Sequence, residues 1–425
     1  MATPTLALIP TGYKAGKLYS VLPESGVGDF TVVRATEATR VNEEGLIETM
    51  GANVPRLDYS GGGCPVLLTE PQRTNLIAYS EDFSQWSQTR VINTDNEITS
   101  PDGSLNASLI TEDSTLDSKY TFLTPTVTIN EHTLSFFGKY KGRYLQVLFG
   151  TNDVSGNPYI NFDLQNGIFD NNGVTNPSIE FFGNGWYKCS LTVTSAVTTG
   201  FGVLFSTIPS LTSSRLTSYQ GDGTSGVYIW GAQLEQASYP TSYIKTEGFA
   251  VTRNGDQVTG AGDAATFNDS EGVLMAEISA LANDGTFRFI SLKNNTTVDI
   301  IRIGYITTPN RIEVQNYKSG ALFNSFNYEV QDLKNNTKVA FKWKDNDFQL
   351  YINGLNVLSN TSVTAWGSGV FQSLQFDQHN GGNNFYGNTK QLQYFNSALT
   401  DSELETLTSW ASFIEMAQAQ NYNII

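Results

Sequence analysis

A chain of 425 residues with 41 acidic and 25 basic side chains carries a formal charge of −16. It has no basic stretch of the kind that phosphate neutralisation needs, which excludes nucleic acid as a partner. The length favours two or three domains with cores of their own, and the wealth of Gly, Asn, Ser, Thr, Tyr and Phe favours strands and turns. Cys64 and Cys189 are too few for a disulfide framework and have no metal-ligand spacing, so two reduced thiols are expected. The opening M-A-T-P-T-L-A-L-I-P has no basic segment ahead of a long apolar run. No apolar run approaches about 20 residues, so neither a secretory signal nor membrane insertion is expected.

In chain order, residues 1–75 read as an extended amino-terminal region. Phe30 to Val33 is a predicted strand, and Arg40 to Ile47 a hairpin turning at Asn42 to Gly45. Apolar patterning here is too sparse for an independent core, so the region is expected to attach to a neighbour. Residues 76–247 alternate with period two. In Arg143 to Phe149, Leu145, Val147 and Phe149 share one face while Tyr144 and Gln146 share the other. In Tyr159 to Leu164, Ile160, Phe162 and Leu164 oppose Tyr159, Asn161 and Asp163. Gln165-Asn166-Gly167 supplies a turn, and Gly183 to Thr194 and Val227 to Leu234 are further strands. Pro240 then ends regular pairing.

Residues 248–271 are small, polar and Gly-rich, which suits a linker. Residues 272–415 alternate again. Val339, Phe341 and Trp343 oppose Lys338, Lys342 and Lys344, while Phe348, Leu350 and Ile352 precede an Asn353-Gly354 hairpin turn. Thr400-Asp401-Ser402-Glu403 is a capping box opening a short helix, with Leu404, Leu407, Ala411 and Ile414 as its apolar stripe. Residues 416–425 form a tail. The expected fold class is therefore all-β: two antiparallel β-sandwiches of jelly-roll or lectin-like type in tandem after an extended amino-terminal region, with a short carboxy-terminal helix.

Two segments carry a resemblance. L-L-T-E-P-Q-R-T-N-L (Leu67 to Leu76) and the stretch from Gly226 to Asp256 resemble segments of structural proteins of tailed bacteriophages. These are fibre and receptor-binding components whose middle part is similar to a carbohydrate-binding-module sandwich. G-D-F-T-V-V-R-A-T-E-A-T-R-V-N-E-E-G-L-I-E (Gly28 to Glu48) and P-R-L-D-Y (Pro55 to Tyr59) are similar to the start of such proteins, and residues 272–415 to concanavalin-A-like, laminin-G-like lectin domains. The resemblance implies a virion structural or fibre protein, made in a host cytoplasm and displayed on the particle. It would contact other virion proteins through the amino-terminal region, hold host cell-surface glycan, and assemble as a homotrimer. The alternatives are a decoration or fibre protein making only protein contacts, and a glycan-degrading tail spike.

No catalytic residue is expected. His132 and His379 sit in no triad or zinc spacing, and no G-x-S-x-G elbow occurs. Glu235 is a carboxylate without a partner where a glycosidase needs two. G-D-G-T-S-G (Gly221 to Gly226) matches a dinucleotide fingerprint in letters but precedes a strand and opens no helix, so it reads as a loop. No cofactor is expected. Asp345, Asp347 and Asp377 are loop carboxylates able to offer hard oxygen ligands, which leaves a structural calcium ion open beside the plainer account of solvated turns. Sugar recognition needs aromatic faces and planar polar groups. Tyr144, Gln146, Tyr159, Asn161 and Asp163 supply both on a non-core strand face, and form the candidate carbohydrate site.

Overall fold

The computed structural model describes residues 2–294, 298–367 and 369–420. It is all-β with two short helices, and its strands pair antiparallel. The chain divides into two compact units, one made of residues 1–37, 50–71 and 255–425, the other of 38–49 and 72–254. Among the described residues no helix is long and apolar enough to cross a membrane.

The second unit is a sandwich of two six-stranded sheets. One sheet runs in the order Ser87–Thr89, Lys119–Leu123, Val203–Ile208, Tyr144–Phe149, Tyr159–Asp163, Ile168–Asn172. The other runs Val91–Thr99, Leu105–Glu112, Gly226–Glu235, Glu131–Lys141, Trp186–Thr194, Thr175–Gly183. The alternation read from sequence sets the core. Leu145, Val147, Phe149, Ile160, Phe162 and Leu164 are buried with Phe136, Leu191, Phe205 and Ile229. A second aromatic cluster, Phe137, Trp186, Trp230 and Tyr243, gathers apart from that core, with Ile47 of the Ala38–Val41/Ile47–Met50 hairpin against it.

Where the chain leaves its sheet after Glu235, side chains take over the work of a strand ladder. Pro240 cannot donate, and backbone polar groups cannot be left buried and unpaired. Asn75 Nδ2 donates to Ile244 O at 2.9 Å and to Ala232 O at 3.2 Å, and Asn75 Oδ1 accepts from Leu234 N at 3.1 Å. Gln233 Oε1 accepts from Ile244 N at 2.6 Å, and Glu235 accepts from Thr241 N at 2.9 Å and from the Thr241 hydroxyl. The two segments that carry the sequence resemblance thus interlock through Asn75, Gln233, Glu235 and Thr241.

The first unit packs an eight-stranded sheet over a five-stranded one around a single core that includes Trp343, Phe341, Leu392 and Ile303. Its composition corrects the expected boundaries. Residues 1–75 are not a separate region. Leu6–Leu8 and Val66–Thr69 both pair with Gly387–Phe395, and Arg56–Asp58 extends the same sheet. Nor is 248–271 a loose linker. Val251–Arg253 pairs with Arg73–Asn75 in the second unit, while Gln257–Thr259 pairs with Phe30–Val33 in the first. Several side chains of the segment are enclosed: Arg253, Asp256, Val258, Ala261 and Asp269 are buried.

The carboxy-terminal end differs in one respect. The carboxy-terminal helix is two helices, Asp401–Thr408 and Phe413–Ala419, so the apolar stripe stops at Leu407 and leaves Ile414 exposed. The Thr400/Glu403 capping box is present as read. Leu404 and Leu407 pack on Val273, Met275, Ala340 and Tyr351, the outward face of the large sheet. Lys338 and Lys342 on that face are therefore buried rather than solvated: Lys342 pairs with Asp347 at 2.6 Å, and the Lys338 ammonium lies 4.4 Å from the Trp410 ring centre.

Candidate functional site

The five residues expected to hold sugar lie where the strand phase put them, but that face is occupied. Gln146 Nε2 donates to Asn161 Oδ1 at 2.8 Å and to Ser214 O at 3.1 Å, while Gln146 Oε1 accepts from Leu216 N at 2.8 Å. Asn161 Nδ2 donates to Leu211 O and Ser213 O, both at 2.8 Å. The two amides pin the 211–216 loop to the outside of the sheet, and both are fully buried. Asp163 accepts from the amides of Gln165 and Asn166 and closes the hairpin turn. Only Tyr144 and Tyr159 keep partial exposure.

Other residues singled out from sequence also serve the fold. Glu235 is enclosed in the clasp described above, and burial raises its pKa against the donors from Thr241. His132 is buried, hydrogen-bonded through Nδ1 to Asn130 O at 2.9 Å, with its pKa lowered by burial. In the G-D-G-T-S-G loop, a Cβ on Gly221 would meet Asp113 O at 1.9 Å and one on Gly226 would meet Ile110 O at 2.0 Å. Both glycines are there for close backbone approach. Asp345 accepts from Ala365 N, Asp347 pairs with Lys342, and Asp377 accepts from Gln375, His379 N and Gly381 N. Among the described residues no group of three or more His, Cys, Asp or Glu converges as metal ligands would. Both cysteines are free.

Two of the clefts in the second unit hold carboxylates beside aromatic rings. One, of about 490 Å³, is lined by Leu46, Glu97, Lys139, Phe182 and Trp186. Two of its polar groups are already engaged: the Trp186 indole donates to Thr99 O at 3.1 Å, and Lys139 Nζ to Asn184 O at 2.7 Å. The other, of about 540 Å³, is lined by Tyr79, Glu81, Asp82, Asp95, Asn106, Lys245 and Glu247, among others. Its origin is legible in strand geometry. Asn106 and Ser108 share the face of buried Ile110, so this face turns polar towards the start of the strand.

Glu81 is the centre of that cleft. Its Oε1 accepts from the Tyr243 hydroxyl at 2.9 Å, and its Oε2 lies 3.2 Å from both Asn106 Nδ2 and Lys245 Nζ. Burial raises its pKa, and the Lys245 ammonium and Tyr243 hydroxyl pull it back. Asp95 accepts from the Ser108 hydroxyl and from Phe83 N at 3.2 Å. Asn106 Oδ1 is buried with no partner. One acceptor is thus left waiting, beside carboxylates, an ammonium and the Tyr79 ring. Sequence reading passed over these residues because they are scattered from Tyr79 to Glu247 with no common spacing.

No family model matches the chain, and no curated protein matches it. Among solved structures, it is similar to the CBM40 domain of a Ruminococcus gnavus IT-sialidase bound to α2,3-sialyllactose, at 14% identity and a TM-score of 0.30, covering 36% of this chain and 94% of that one. It is also similar to domains LG4-5 of the mouse laminin α1 chain, at 11% identity and a TM-score of 0.23, covering 68% of this chain and 90% of that one. A Trypanosoma rangeli sialidase in complex with sialic acid matches at 9% identity and a TM-score of 0.27, covering 93% of this chain and 61% of that one. All three superpose loosely.

Proposed function

We propose that the chain is a non-catalytic glycan-binding protein whose second unit takes a neutral sugar in the Glu81 cleft. The observation that carries this is the convergence of planar acceptors and donors around one free amide oxygen. Vicinal hydroxyls of a pyranose are spaced to bridge a carboxylate and an amide, and the apolar face of the ring suits a tyrosine. Four carboxylates against one lysine set a negative field, which favours an uncharged ligand over an anionic one. Binding of a neutral oligosaccharide panel to the full chain is the test. Asn106→Ala and Tyr79→Ala are each expected to weaken binding about tenfold, roughly 1.4 kcal/mol, while both variants still unfold in one cooperative transition. Retained affinity in both folded variants would sink the assignment.

Display on a tailed-phage virion, with virion proteins as neighbours and a trimeric assembly, is supported by the resemblance of Leu67 to Leu76 and Gly226 to Asp256 alone. The strands of residues 1–37 and 50–71 are engaged within the first unit and give no independent support for an attachment arm. Antibody labelling of particles in the electron microscope tests the location, and sedimentation of the purified chain tests the trimer. A hydrolytic second reading is favoured by one feature, the raised pKa of Glu81 beside Asp82 and Asp95. Release of reducing ends from polysaccharide that Glu81→Gln abolishes would establish it.

A further inference from the structure

The five-stranded sheet of the first unit carries, on its outward face, a polar row that nothing above uses. Ile290 and Leu292, Ile301 and Ile303, and Ile312 and Val314 point into the core. Alternation therefore turns Ser291, Arg302 and Gln315 outward. These three are direct cross-strand partners, and the row continues to Gln375 at one end and Ser325 at the other.

Arg302 is the centre of that row. Its Nε donates to Gln315 Oε1 at 2.6 Å and one terminal nitrogen, Nη2, to the Tyr317 hydroxyl at 3.0 Å. The guanidinium carbon lies 4.5 Å from the Phe289 ring centre and 5.0 Å from that of Tyr317. Rings and amide together fix the fork in place, while Nη1 has no acceptor among the described residues. No carboxylate among the described residues comes within ion-pair distance. Glu313 is nearby but is taken by Gln315 Nε2 at 2.8 Å and the Ser325 hydroxyl at 3.0 Å. Ser291, cross-strand to Arg302, is fully buried and its hydroxyl has no partner. A half-buried arginine is ordinarily neutralised. Here an anchored, unpaired cation sits beside an unused hydroxyl in a chain of charge −16.

We infer that this face binds the carboxylate of an acidic sugar, Arg302 forking onto it, with the Ser291 hydroxyl beside it and Tyr317 offering a ring to the pyranose. Arginine matches a carboxylate in two parallel hydrogen bonds, which an ammonium cannot. The acidic charge of the chain disfavours extended polyanions and leaves recognition to this short-range fork. The site is separate from the Glu81 cleft, and either can fail without the other.

The test is calorimetric titration of the full chain with oligosaccharides ending in glucuronate, galacturonate or N-acetylneuraminate, each beside its carboxyl-reduced counterpart. In the full chain carrying Asn106→Ala, which disables the neutral-sugar cleft, at least one acid form should bind and its reduced form should not. Arg302→Gln and Arg302→Lys should each weaken binding by about tenfold or more, whereas Asn106→Ala should leave it unchanged. If the arginine variants fail to fold, the comparison of acid with reduced sugar on the Asn106→Ala chain still decides. Equal binding of acid and reduced forms, no binding of any acid form, or unchanged affinity in folded Arg302→Gln would overturn the inference. Equal binding of an aspartate-rich peptide would overturn its assignment to sugar.

Discussion

Gln146 separates two things that are readily read together from strand alternation, the direction of a side chain and its surroundings. Period two told correctly that it leaves the core face, because alternation is a local property of the backbone. It could not tell that the 211–216 loop lies over that face, since a loop some 65 residues further on is placed by tertiary closure. Lys338 and Lys342 likewise take the face that alternation gives them, and their burial comes from a helix some 60 residues further on. Glu81, Asn106 and Arg302 escaped notice because their meaning lies in which partners are missing, and sequence does not record absence. Gln146→Ala should therefore act on stability. It strips Leu216 N of its acceptor and Ser214 O and Asn161 Oδ1 of their donor, which at about 1–3 kcal/mol per buried unpaired group argues for a loss of about 3 kcal/mol. Urea unfolding should show that loss, and the Leu216 amide should exchange faster. An unchanged midpoint would mean that the loop is held by other contacts.

At the scale of elements, segments ruled by near-neighbour chemistry were legible. The Asn353-Gly354 turn has φ values of 50° and 87°, as a two-residue hairpin with both positions left-handed requires. The Phe30–Val33 strand has its predicted bounds. The 248–271 segment was misread because Gly and small polar residues mark loose chain and enclosed straps alike. What distinguishes them is pairing with strands near the amino terminus, over separations of 170 residues or more. Limited proteolysis should expose the difference. Val251–Arg253 and Gln257–Thr259 are in ladders and their neighbours Asp256 and Ala261 are buried, so this segment should resist cutting. Ser60 to Cys64, with three consecutive exposed glycines, should be nicked first. A first cut between Gly248 and Glu271 would contradict the strapped geometry.

The whole chain is all-β as its composition suggested, yet its cores are not consecutive in sequence, and that governs which fragments can fold. The second unit holds both six-stranded sheets and the core joining them within Gln72 to Asn254. The first unit does not have this independence. Leu6, Leu8, Leu18, Phe30, Val32, Leu57 and Leu67 are all at most 2% exposed in its core. At about 1.5–3 kcal/mol each, they contribute roughly 10–20 kcal/mol of burial. That is as large as the net stability of about 5–15 kcal/mol typical of a domain, so their loss should unfold the unit. Charge adds to the same conclusion. Arg34 and Arg56 are buried against Asp256, and Arg56 also against Glu70. A chain beginning at Gly255 would have to bury Asp256 without either guanidinium, a loss of the kind that costs about 3–5 kcal/mol. Residues 72–254 alone should give a cooperative unfolding transition and dispersed amide resonances. Residues 255–425 alone should not, and adding residues 1–71 in trans should partly restore order. A cooperative transition from the isolated 255–425 fragment would show that the amino-terminal strands decorate a finished sandwich and do not complete it.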